Sequence, residues 1–379
     1  MLGLLVSQVI ADETMPRARD LGIPFDGVPG PLNAITDVAG VTVGQVTIIE
    51  DYPDDRAART GVTAVLPRGR DSIIQPSFAG WFTLNGNGEM TGTTWVEESG
   101  FLEGPVMLTN THSVGTVHQA TIEWRVAQGG PDPTGYFWSV PVVAETWDGY
   151  LNDVNGFHVK PDHVFEALDS ATAGPVAEGN VGGGTGIICH EFKCGIGTSS
   201  RIAGTADGSY VVGVLVQANY GRRDMLRVAG VPVGEHLRGD SAPVKSGEVP
   251  DGAGSIIVVV ATDAPLLPTQ LKRMAKRTAL GLARIGSYAS NASGDIFVAF
   301  STANGNADLV TRGQSVRMLA NEDIDPLFLA TVEATEEAIV NALVAGRDMT
   351  GDRGHSVEGI DHGELIDVLR RHDRLTNSK

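Results

Sequence analysis

The residues best placed to do chemistry are Gly254 and Ser255. They stand where a polar stretch, GDSAPVKSGEVPDGAG (239–254), runs into the hydrophobic segment SIIVVVATDAPL. A serine at such a junction can attack the carbonyl of the residue before it, and glycine in front leaves that carbonyl unhindered. An N→O acyl shift followed by hydrolysis would leave a new N-terminal serine. Its α-amine, with an unperturbed pKa of about 7.7–8.0, is close to ideal as a general base at neutral pH. Such a nucleophile needs no histidine. The alternative is a serine that merely opens a strand, since patterns this short recur by chance.

Other motifs fall short of the chemistry they suggest. Thr111-His112-Ser113-Val114-Gly115 lacks the first glycine of a nucleophile elbow, and Gly354-His355-Ser356-Val357-Glu358 lacks the last. In GNVGGGTG (179–186), Gly186 is followed by Ile187 where a phosphate loop needs Lys and Ser/Thr. These glycines read as tight turns and close backbone approach. Cys189, His190 and Cys194 lack the second ligand pair of a zinc site, so no metal is expected. They read as buried small residues beside one surface histidine. Two cysteines are too few for a disulfide framework and leave the redox compartment open.

The elements that must carry these residues follow from periodicity. ITDVAGVTVGQVTII reads as a strand pair around a glycine turn, TGVTAVLP (60–67) as a strand, and GWFTLNGNGEMTG (80–92) as a strand broken at Gly86 and Gly88. PVMLTNTHSVGTVHQATIEWRVA (105–127) starts as a strand and turns helical after Ser113. WSVPVVAETWDGYLND (138–153) is a strand entering a polar turn, and DHVFEALDSA (162–171) is a helix. YVVGVLVQANYG (210–221), SIIVVVAT and DIFVAFST (295–302) are buried strands. PTQLKRMAKRTALGLARIG and VEATEEAIVNALVAG (332–346) are amphipathic helices. Strands in blocks with helices between and after them favour layered α+β with largely antiparallel sheets.

Composition narrows the function classes. The 379 residues are 42% hydrophobic and 20% charged, which is the make-up of a globular chain. A net charge of −18 argues against nucleic acid and anionic membrane surfaces as partners. Glycine, at 48 residues, is nearly twice the usual share of ~7%, pointing to many turns and close approaches. No apolar run reaches the ~18 residues of a spanning helix. MLGLLVSQVIA (1–11) resembles the end of a signal peptide but has no basic residue before it. The expectation is therefore cytoplasmic, with periplasmic as the alternative, and residues 1–30, with Pro16, Pro24 and Pro29, form an extended arm.

Eight blocks in order resemble the L-aminopeptidase/D-amidase-esterase family, which includes the β-peptidyl aminopeptidases. They are PRARDLGIPFDGVPGPLNAITDVAGVTVG (16–44), NGNGEMTG (85–92), LTNTHSVG (108–115), AETWDGYLND (144–153), GNVGGGTG (179–186), VQANYG (216–221), GSIIVVVATDAPL (254–266) and NASGD (291–295). The resemblance covers nearly the whole chain. It implies one domain with a four-layer αββα sandwich, like the N-terminal nucleophile hydrolases but differently connected. It also implies self-cleavage between Gly254 and Ser255 into a large subunit, 1–254, and a small one, 255–379. Four such αβ units would assemble together, with no cofactor.

By position, the resemblance makes Ser255 the nucleophile, Ser293 and Asp295 its relay, and Asn219 an oxyanion donor with the Gly294 N–H as a second. Asp295 stands where the β-aminopeptidase pattern has Glu. Glu145 would hold the free amine of a small peptide, amide or ester. Trp147, where some members have Tyr, and Trp138 would line the substrate pocket. The expected activity is a serine aminopeptidase. Competing readings are an acyltransferase on a related self-cleaving fold and an uncleaved module binding a phosphorylated ligand at GNVGGGTG.

Overall fold

A computed structural model describes residues 15–129, 138–237, 254–305 and 313–376. The signal-like segment 1–11 and the polar stretch before Gly254 lie outside the described residues. The strands are β1 Thr42–Tyr52, β2 Arg56–Arg70, β3 Ser77–Gly86, β4 Phe101–Leu102, β5 Val106–Asn110, β6 Val142–Thr146, β7 Ile188–Cys189, β8 Phe192–Lys193, β9 Ile196–Thr205, β10 Gly208–Asn219, β11 Gly254–Thr262, β12 Ser293–Ser301, β13 Met349–Thr350 and β14 Ser356–Val357. The helices are α1 Thr93–Ser99, α2 Val114–Gln128, α3 Pro161–Asp169, α4 Pro268–Arg284, α5 Asp325–Val344 and α6 His362–Arg371.

Two sheets carry the architecture, one in the order β1-β2-β5-β6 and one in the order β4-β3-β12-β11-β10-β9. Most pairings are antiparallel; β5/β6 and β11/β12 are parallel. Each parallel pair needs a crossover connection, and its helix must leave the sheet plane. Thus α2 lies between β5 and β6 in sequence and α4 between β11 and β12, each on the outside of its own sheet.

Period-two alternation then sorts the side chains into three apolar layers. Along β11, Ile256, Val258 and Val260 pack with Leu271, Met274 and Ala334 of α4 and α5. Ile257, Val259 and Ala261 point the other way, into a middle layer shared with Val106, Leu108 and Ala144 of the first sheet. The outer face of that sheet holds α2 and α3 through Val117, Trp124, Val164 and Leu168. The result is the expected αββα sandwich, with helices outside and two sheets face to face.

Three local expectations are corrected. The segment around Val38-Ala39-Gly40 is not a hairpin: Ile35–Asp37 is a turn of 3-10 helix, and β1 alone follows. The Asp37 carboxylate accepts the N–H groups of Leu32 and Ala34, which closes a turn where a strand was expected. Helix α5 starts at Asp325, with Pro326 in its first turn, and is buried on nearly every face, Glu333 and Glu337 included. It packs against β9, β10 and α4. Within 15–34, residues Arg17 to Gly22 form a hydrogen-bonded turn, so this part of the arm is not extended. Arg17 pairs with Glu178 at 2.7 Å and Arg19 with Glu337 at 2.8 Å.

Candidate active site

Ser255 is the second residue of β11 and has the parity of Ile257 and Val259, so it sits on the face between the sheets. It is buried, at 4% exposure. Its hydroxyl donates to the carbonyl oxygen of Gly254 at 2.7 Å. No other residue fits at 254: a Cβ there would lie 2.6 Å from the Asn219 carbonyl oxygen and 2.8 Å from Tyr220 Cα.

Strand pairing places the neighbours. Asn219, the last residue of β10, is directly opposite Ser255 in the antiparallel ladder, and Gly294 of β12 is its partner on the parallel side. Asn219, Ser255 and Gly294 therefore lie in one row across three adjacent strands. The Asn219 side-chain oxygen accepts from the Ile188 N–H at 2.9 Å. That bond assigns the amide orientation and leaves Nδ2 as the outward donor.

Ser293 is the partner of Gly254 across the same parallel pair. Its hydroxyl donates to Asp295 Oδ1 at 2.6 Å. Asp295 is fully buried, and its second oxygen has no hydrogen-bond partner among the described residues. Burial pushes the Asp295 carboxyl above its ordinary range, and the Ser293 hydroxyl offsets part of that rise. The Tyr220 hydroxyl is similarly buried without a partner among the described residues, and burial together with the Asp295 charge raises its pKa. From the other side, Asn85 and Asn87 donate their amides to the Ser290 and Ala292 carbonyls, fixing the loop that enters β12. This explains the paired asparagines of NGNG.

Glu145 belongs to the first sheet, in β6, yet it reaches the same place. The point where a Gly88 Cβ would stand is 3.2 Å from Glu145 Oε1 and 3.2 Å from Gly294 Cα. Glu145 accepts the Glu89 N–H at 3.0 Å and the Thr111 hydroxyl. Burial pushes its carboxyl upward; these two donors, and the nearby His112, pull it back in part. Nothing in the sequence assigned Thr111, Gly88 or Ile188 to the site. Thr111 follows β5, which runs parallel to β6, and this is the register that delivers its hydroxyl to Glu145.

The two tryptophans are placed differently from the cluster. Trp147 is 36% exposed and walls a 360 Å³ cavity with His112, Asn155, Arg353 and His355. Trp138 is 56% exposed, with its ring edge-on to Trp95 at 5.3 Å. Among the described residues it makes no hydrogen bond or ring contact with Ser255, Asn219, Ser293 or Asp295.

The cysteines and their histidine depart from expectation. Cys189 and Cys194 form a disulfide, and His190 is completely buried between them in sequence, edge-on to Tyr220. Burial lowers the His190 pKa to about 4, so it is neutral. The hairpin turn there forces His190 inward, its Nδ1 against the Arg222 carbonyl. In GNVGGGTG, a Gly183 Cβ would stand 2.1 Å from Gln217 Oε1 and 3.0 Å from the Leu108 carbonyl. That loop is wedged between the sheets, where its glycines admit backbone and no phosphate.

The model of peptidase family S58 matches residues 33–357. A β-peptidyl aminopeptidase, BapA, of Sphingosinicella microcystinivorans is 52% identical, the match covering all of this chain and 97% of that protein. The L-aminopeptidase D-Ala-esterase/amidase of Ochrobactrum anthropi, described as a variant of the Ntn hydrolase fold, superposes with a TM-score of 0.89 at 49% identity, covering 95% of this chain and all of that one. A β-aminopeptidase of a Burkholderia species superposes with a TM-score of 0.86 at 50% identity, covering 94% and 99%.

Proposed function

This chain belongs to peptidase family S58, and we propose that it is a self-processing serine aminopeptidase whose nucleophile is Ser255. The observation that carries the reading is the row Asn219–Ser255–Gly294. Strand register brings Asn219 and Gly294 to either side of one buried serine.

In the precursor, Ser255 Oγ attacks the Gly254 carbonyl carbon. The C–N bond breaks, the hydroxyl proton passes to the departing nitrogen, and water hydrolyses the ester. The products are a Gly254 carboxylate and a Ser255 with a free hydroxyl and a free α-amine. In turnover that α-amine takes the hydroxyl proton as Oγ attacks the substrate carbonyl. Asn219 Nδ2 faces the developing oxyanion, a contribution of about 3 kcal/mol for a donor of this kind. The leaving amine departs with a proton, and water releases the acyl group. Ser293, held by Asp295, orients the Ser255 α-amine that cleavage frees.

Glu145 supplies the amine specificity. Its carboxylate, set by Thr111 and the Glu89 N–H, pairs with the substrate's ammonium group. An acylated amine would leave it buried and unpaired. The names of the relatives support small N-terminal residues, β-amino acids among them, as the residues released. Assembly of four αβ units belongs to the same reading, and light scattering on the mature enzyme tests it.

The test of the activity is a substrate pair. β-Alanyl and D-alanyl p-nitroanilides should be hydrolysed, and their N-acetyl forms should not. Equal rates on both forms would remove Glu145 from the reading, and no hydrolysis of either by the cleaved enzyme would overturn the substrate class.

A further inference from the structure

Lys193 is fully buried, carried on β8 inside the loop closed by the Cys189–Cys194 disulfide. A lysine in such a place is costly unless its donors are satisfied. Its Nζ donates to the carbonyl of Ile187 at 2.9 Å and to the carbonyl of Cys194 at 2.5 Å, and Asp148 is the carboxylate whose charge reaches it. The first of these bonds is the informative one. Ile187 and Ile188 share one peptide group, and the N–H of that group holds the Asn219 side-chain oxygen at 2.9 Å.

Four groups therefore stand in series: the Lys193 amine, the 187–188 peptide, the Asn219 amide, and the position opposite Ser255. Each bond polarises the next in the same sense. Donation to the Ile187 carbonyl makes the Ile188 N–H a stronger donor. That bond draws density from the Asn219 carbonyl and strengthens its Nδ2–H in turn. It also holds the Asn219 amide against a flip that would turn its oxygen toward the reacting carbonyl.

We propose that Lys193 is a positioning residue for the reaction, acting through the Ile187–Ile188 peptide to orient and polarise Asn219. This rests on the assignment of Asn219 to the oxyanion. Lys193 touches neither substrate nor nucleophile in this arrangement. Its effect falls on kcat and leaves ground-state binding alone, because the oxyanion exists only in the transition state.

The experiment is a double-mutant cycle with Lys193→Met and Asn219→Ala, read on β-alanyl p-nitroanilide with the self-cleaved enzyme. Lys193→Met is expected to lower kcat about tenfold with KM unchanged, a fraction of what one oxyanion donor supplies. Lys193→Gln, which keeps a donor, should recover part of the loss. In the Asn219→Ala background, Lys193→Met should cost nothing further, whereas a merely structural role would give additive losses.

Additive losses, or a raised KM with kcat intact, overturn the proposal. Full activity of Asn219→Ala alone would instead sink the oxyanion assignment itself, so the two failures are distinguishable. Where Lys193→Met folds but stays uncleaved, its processing rate is compared with that of Asn219→Ala. Stalling in both supports the coupling, and stalling in Lys193→Met alone overturns it. Failure of both Lys193 variants to fold also overturns it, in favour of a purely structural lysine.

Discussion

The Ser255 hydroxyl donates to the carbonyl oxygen of Gly254, so the nucleophile already addresses the peptide group it has to break. The expected outcome in the parent protein is two fragments, 1–254 and 255–379, seen by intact mass. Ser255→Ala removes the attacking atom and should leave one full-length chain with no hydrolytic activity. Two fragments from that variant would show that something else cuts the chain.

Gly254 gives a second handle on the same step. A methyl group there meets the backbone at Asn219 and Tyr220, below any contact a real Cβ makes, and would push the scissile carbonyl out of line. Gly254→Ala is expected to slow self-cleavage by about a hundredfold, since small misplacements of reacting atoms have that effect. Once cleaved, it should turn over like the parent, because residue 254 has by then left the strand. A time course of intact mass followed by assay of the cleaved fraction separates these two outcomes.

Glu145 predicts a pH profile. Burial holds its carboxyl above the ordinary glutamate range, so on acidification it becomes neutral sooner than a free glutamate would. The ion pair with the substrate ammonium exists only while it is charged. For a free-amine amide, kcat/KM should therefore fall as pH drops through that raised value. Glu145→Gln should lose this ionisation from the acid side of the profile, leaving that of the Ser255 α-amine, and lower kcat/KM roughly 10- to 100-fold at neutral pH, the worth of a charge-assisted hydrogen bond. An unchanged acid limb in Glu145→Gln would assign that ionisation to another group.

Ser293 and Asp295 should behave as one unit. A 2.6 Å bond joins their two buried side chains, and among the described residues neither side chain has another hydrogen bond. Ser293→Ala and Asp295→Asn are each expected to reduce kcat by about a hundredfold, and the double variant by little more than either alone, as for other catalytic groups acting together. Independent, multiplying losses would separate their roles.

The limits of the sequence follow from the same residues. β11 was legible because Ile256 to Val260 is an unbroken branched apolar run, and Ser255 because a glycine-serine junction precedes it. That Asn219 stands opposite Ser255 was not legible from periodicity, since register depends on which strands become neighbours. The same holds for Glu145, delivered from the other sheet past Gly88. Lys193 and Glu337 went unread, and His190 reads as a surface residue, for one reason. Local composition treats a charged or imidazole side chain as surface, and only tertiary packing shows that each is enclosed. Helix α6 went unread: the Asp361 carboxylate caps its start by accepting the Glu364 N–H, but its few apolar residues gave no long stripe.

Glu337 makes the last prediction, this one on stability. In the middle of α5 it accepts from Arg19 at 2.8 Å, Arg201 at 2.6 Å and Asn33 at 2.6 Å. Burial alone would push its carboxyl up, but the Arg19 bond and the two guanidinium charges outweigh that and hold it below the ordinary range. Burial also lowers Arg201, though from so high a value that it stays charged. A carboxylate lowered in the folded state contributes stability that is fully present above its unfolded pKa of about 4.3 and is lost as pH falls through the folded value. Glu337→Gln leaves two arginines short of their counter-charge, a loss of about 3 kcal/mol at pH 7. Denaturant titrations of the variant in the uncleaved Ser255→Ala background should show that gap, and it should close below about pH 4. A gap that stays constant down to pH 3 would mean that the loss comes from packing and that the charge of Glu337 contributes nothing.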